Sequence, residues 1–112
     1  MLISTIILFA LAAILGVVLI TKVLKEENTP KVVVYSHGTI AALALVLLII
    51  AYLNEGDSLL MISVLIFIVA ALGGFVMFSR DITQRPIPKW LALVHGLAAV
   101  TAFVLLLVAV LG

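Results

Sequence analysis

Pro30-Lys31-Val32-Val33-Val34-Tyr35-Ser36-His37-Gly38 and Pro88-Lys89-Trp90-Leu91-Ala92-Leu93-Val94-His95-Gly96 are two copies of one pattern, and they hold the only two histidines in the chain. Proline, lysine, histidine and glycine recur in register at an offset of 58 residues. The same offset aligns residues 1–54 with 59–112 without a gap and gives 17 identical pairs, including Phe9/Phe67 and Gly16/Gly74. Identities among Leu, Val and Ala carry little weight in so apolar a chain. Matched proline, lysine, histidine and glycine carry far more. The pattern is that of a tandem duplication of a two-helix unit, residues 1–54 and 59–112, within one transmembrane domain spanning 1–112.

Composition bounds the class. The chain is 67% hydrophobic and 10% charged over 112 residues, with long apolar runs that a soluble domain does not carry. A formal net charge of +1 gives no basis for a nucleic-acid partner. The absence of cysteine removes disulfides, thiolate metal sites and the Cys-x-x-Cys-His attachment of c-type haem. Residues 2–21 lack a basic leading region and a small-residue cleavage site, so they read as structure and not as a cleaved signal peptide.

Four apolar runs, 2–21, 32–53, 59–78 and 90–111, are each long enough to cross a hydrocarbon core of roughly 30 Å as a helix. Short connections between them predict an all-α membrane protein, an antiparallel up-down bundle of four transmembrane helices. All six basic residues fall in the first connection (Lys22, Lys25, Lys31) and the third (Arg80, Arg85, Lys89), whereas the second holds Glu55 and Asp57 and no base. The positive-inside rule then expects an integral protein of a bacterial inner membrane, with connections one and three cytoplasmic and both termini outside. Helices two and four run parallel in this reading, and a pseudo-twofold axis along the membrane normal relates the two units.

Helical periodicity gathers the retained residues onto faces. His37, Ala41, Ala44, Leu48 and Ala51 form one stripe on the second helix, and His95, Ala99, Ala102, Leu106 and Ala109 form the same stripe on the fourth. Ala12-x-x-x-Gly16 and Ala70-x-x-x-Gly74 are small-xxx-small patterns that permit close helix approach. Retained faces are expected to point inward. Each histidine lies about 9 Å along its helix from Lys31 or Lys89, and the glycines of the neighbouring helices come to the same level. Tyr52, Phe75 and Phe103 have no aromatic counterpart in the repeat and are available to face a second copy in a homo-oligomer.

Two imidazoles at one depth on one face point to a ligand held between them, because ionisable groups inside a membrane span mark function by default. A b-type haem with His37 and His95 as axial ligands of its iron fits that layer. Gly16 and Gly74 would clear the porphyrin edge. Lys31, Lys89, Arg80, Arg85 and Lys22 would meet the propionates. The second ring nitrogen of each ligand is expected to donate to the carbonyl four residues back, Val33 for His37 and Leu91 for His95.

With its paired His-Gly motifs on four membrane helices, the chain resembles the cytochrome b561-type family. The resemblance is architectural and confined to the His37/His95 layer and its glycines. It implies haem binding and electron exchange with a quinol or a cytoplasmic redox partner. That family uses two histidine pairs for two haems, whereas this chain supplies one pair, so electron transfer across the membrane by a monomer is not implied.

Other readings stand beside it. In a cofactor-free structural or accessory membrane protein the histidines would only hydrogen-bond within the bundle. A non-haem metal site lacks further ligands, since no Asp, Glu or Cys lies within the apolar runs. A channel or proton relay lacks a polar path to the outer face. Nucleophilic catalysis has no supporting constellation, so an electron-transfer or haem protein is favoured over an enzyme.

Overall fold

Proline and glycine punctuate a chain that is otherwise uniformly helix-compatible. The computed structural model describes residues 1–112 as four helices and no strand: α1 (Leu2–Leu24), α2 (Lys31–Glu55), α3 (Ser58–Ile82) and α4 (Lys89–Leu111). Pro30 and Pro88 sit just before α2 and α4 in the extended region (φ −66° and −62°), where a missing N–H costs no helical bond. Gly56 ends α2 in the left-handed conformation (φ +66°), and Asp57 then caps α3 by accepting from the N–H groups of Leu59 (2.7 Å) and Leu60 (3.2 Å). α1 and α3 continue past their apolar runs to Leu24 and Ile82, each with a cation, Lys22 or Arg80, in its last turn.

All four helices are long and apolar enough to span a membrane, with mean hydropathy from 2.2 to 2.9. Burial agrees with that setting. Only 15 of 112 residues are buried, while large apolar side chains such as Ile14, Val32, Leu72 and Val100 point outward from every helix. Such a surface is stable against hydrocarbon and not against water.

The helices form a bundle. α1 packs on α2 and α4, and α3 packs on α4 and α2, so α1 faces α3 and α2 faces α4 across the middle. The inward stripe is realised: Ala44, Leu48, Ala102 and Leu106 are wholly buried. Across the other diagonal, Phe9 and Phe67 stack face to face with ring centres 4.0 Å apart and planes within 1°. Aromatic pairs of this kind contribute about 0.5–1.5 kcal/mol beyond area burial. One buried bond breaks the match between the two halves: Ser63 Oγ on α3 donates to Ala102 O on α4 at 2.8 Å, whereas Thr5 at the equivalent position of α1 donates to Met1 O in its own helix.

Candidate functional site

The histidine layer is built from two helix pairs. In the first, Ala12 and Gly16 of α1 lie against α2, and His37 Nδ1 bonds Ala12 O at 2.8 Å. In the second, His95 Nδ1 of α4 bonds Ala70 O of α3 at 2.7 Å. The two bonds are equivalent at the 58-residue offset. The expected partners, Val33 for His37 and Leu91 for His95, are not used. A carbonyl within the histidine's own helix points along the axis into its ladder bond, beyond reach of an imidazole that leaves the helix sideways. A neighbouring helix offers its carbonyl laterally, provided the residue four positions on is small.

That residue is Gly16 or Gly74. A Cβ at Gly16 would lie 3.1 Å from His37 Cε1, and one at Gly74 would lie 3.3 Å from His95 Cε1. The glycines therefore make room for the imidazole edge of the adjacent helix. The alanine four residues earlier, Ala12 or Ala70, keeps the helices close. The glycines that follow the histidines have no such role: a Cβ at Gly38 meets nothing within 4 Å, and one at Gly96 only touches Ile20.

The backbone bonds decide the tautomer. A carbonyl only accepts, so Nδ1 of each ring carries the proton, and a neutral imidazole then presents an unprotonated Nε2. Neither Nε2 has a hydrogen-bond partner in the protein, and neither is sealed from a water-sized molecule. The two rings stand across the α2–α4 diagonal with centres 6.3 Å apart and planes at 76°. The site thus offers two imidazoles in one layer, each with an unprotonated nitrogen that no protein group engages. No group of three His, Cys, Asp or Glu side chains assembles anywhere in the chain, so these two imidazoles are the whole donor set.

The cations expected near the site are spread through a mixed-charge end. Thr29 Oγ1 and Lys31 Nζ both donate to the Asp81 carboxylate at 2.8 Å, and Lys31 Nζ also donates to Thr29 Oγ1 at 3.0 Å. Lys89 pairs with Glu26 at 3.8 Å and Lys22 with Glu27 at 3.5 Å. Arg80 Nε donates to Pro86 O at 2.7 Å, and Arg85 Nε to Thr83 Oγ1 at 3.0 Å. Lys31, Arg85 and Lys89 line one polar depression, but Glu26, Glu27 and Asp81 line it too. The cations expected to meet propionates thus share their end of the bundle with three acids, which pair with Lys22, Lys31 and Lys89.

Sequence reasoning missed the Thr29–Lys31–Asp81 clasp. Its counterpart in the repeat would join Ile87, Lys89 and Val23, which cannot make it. Of the three aromatics expected to face a second copy, Phe75 is 69% exposed, and Tyr52 and Phe103 pack partly against the core. Comparison of the chain with protein-family models, with curated proteins and with solved structures finds no match.

Proposed function

We propose that the chain is a small integral membrane b-type cytochrome holding one haem between His37 and His95. The observation that carries this reading is the pair of partnerless Nε2 atoms with ring centres 6.3 Å apart. His37 and His95 would hold the iron, one imidazole from each of two helices on opposite corners of the bundle. A set of only two nitrogen donors suits an iron whose other four positions come from a macrocycle. When bound, the haem would supply reversible one-electron chemistry.

The residues of the chain have definable tasks in this reading. The Ala12 and Ala70 carbonyls hold the proton on Nδ1 and fix the ring planes. Gly16 and Gly74 let each imidazole lie against the neighbouring helix. Lys31 and Lys89 are at hand for propionate carboxylates, in competition with Asp81 and Glu26. The redox partner would be a quinol or a cytoplasmic protein.

The finer architecture belongs to the same proposal. Two units related by duplication, in an antiparallel bundle with a pseudo-twofold axis along the membrane normal, are supported by the recurrence of the histidine–carbonyl bond and its glycine at the 58-residue offset. Charge supports a bacterial inner-membrane setting with loops one and three cytoplasmic and both termini outside.

A second reading, a cofactor-free accessory protein, is favoured by one observation: each imidazole already tethers the two helices of its own unit. Absorption spectroscopy separates the two. A Soret band, with α and β bands on reduction, in the purified or hemin-reconstituted protein supports the haem reading. A colourless protein that takes up no hemin leaves the tether reading.

A further inference from the structure

We propose that loops one and three form a docking surface for the acidic face of a water-soluble redox protein, centred on Lys25, Arg80 and Arg85. The two loops meet at one end of the bundle, joined by Thr29–Asp81, Lys31–Asp81 and Lys89–Glu26. Residues Met1–Ile3 meet Ala51, Asn54 and Glu55 at the other end. All six Lys and Arg residues stand at the first end, against Glu26, Glu27 and Asp81. Ion pairing there is selective. It consumes the three acids with Lys22, Lys31 and Lys89. Lys25 is left exposed with no acid partner, and Arg80 and Arg85 are engaged only through Nε. The surplus positive charge is therefore carried by groups whose donors remain free to meet carboxylates.

Position favours a soluble protein over lipid headgroups. Lys25 lies just past the end of α1, and Arg85 lies in the connection between Ile82 and Lys89, beside a polar depression open to water. Exposed Trp90, the second residue of α4, stands at the same end, where an interfacial aromatic belongs. Towards the opposite end the bundle interior is closed by the Phe9–Phe67 stack and the wholly buried Leu48 and Leu106. The histidine layer is thus nearer to this face than to the other, since each histidine follows its lysine by six residues, about 9 Å. That the partner carries electrons rests on the haem reading; the surface itself does not.

The test uses the full chain in phosphatidylcholine nanodiscs without haem and, as probe, a fluorescent ten-residue glutamate peptide followed by anisotropy. Saturable binding is expected, weakened several-fold from low to physiological salt. An Arg80→Gln/Arg85→Gln double variant should lose about tenfold in affinity, whereas Glu55→Gln at the other end should change nothing. Absence of binding, equal binding by the double variant, citrate binding as tightly as the peptide, or loss of peptide binding when phosphatidylglycerol is added to the disc would each overturn the surface. Because the peptide is read without cofactor, failure of this proposal is separate from failure of hemin uptake.

Discussion

His37 and His95 face each other across the bundle with ring centres 6.3 Å apart and planes at 76°. Neither ring is free to turn, because Nδ1 of each is tied to a backbone carbonyl of the adjacent helix. The pair is preorganised from the protein side, which reduces what a ligand must order on binding.

Hemin titration should therefore give a six-coordinate, low-spin spectrum at one equivalent. His37→Ala and His95→Ala should each abolish it. The crossed ring planes predict a strongly anisotropic ferric signal in electron paramagnetic resonance, unlike that of parallel imidazoles. An unchanged spectrum in either variant would remove that residue from the ligand set.

Gly16→Ala and Gly74→Ala should disturb the imidazoles directly, since the added Cβ atoms would stand 3.1 and 3.3 Å from Cε1. Overpacking of this kind costs about 1–3 kcal/mol. The expected result is lower thermal stability in detergent together with weaker hemin binding. Gly38→Ala, with open space around its Cβ, should be neutral or stabilising by up to about 1 kcal/mol.

Ser63→Ala removes a buried bond between α3 and α4. Interhelical hydrogen bonds in membranes average about 0.6 kcal/mol and reach about 1.7 kcal/mol. A loss in that range is expected from unfolding in mixed micelles. Thr5→Ala should cost less, because its hydroxyl only bonds its own helix.

Asp81→Asn should loosen the loops more than loss of a surface ion pair would, because one carboxylate holds both Thr29 and Lys31. About 1–2 kcal/mol is expected, with Lys31→Met milder because that side chain is half exposed. Proteolysis within residues 25–30 gives the readout: faster cleavage in the Asp81 variant, little change in the Lys31 variant.

Orientation is open to a direct test. A cysteine at Ser58 should react with a membrane-impermeant maleimide on intact cells, and one at Gln84 only after lysis. The reverse pattern would invert the proposed sidedness.

Hydropathy and length by themselves determined four spans, because crossing hydrocarbon is a local requirement on about 20 consecutive residues. Repeat spacing and helical period also determined which faces turn inward: Leu48, Leu106, Phe9 and Phe67 are buried as their stripes require. The level shared by the histidines and glycines followed from counting residues. Only the tertiary structure decided what those residues touch. Whether an imidazole reaches Val33 O or Ala12 O depends on how far α1 is rotated and how closely it approaches α2, and neither quantity is written in one helix. The same holds at the loops. Charge signs were legible, but Lys31 meeting Asp81 across 50 residues of sequence depends on how the helix ends come together. Local chemistry selects elements and faces; the contact between elements selects partners.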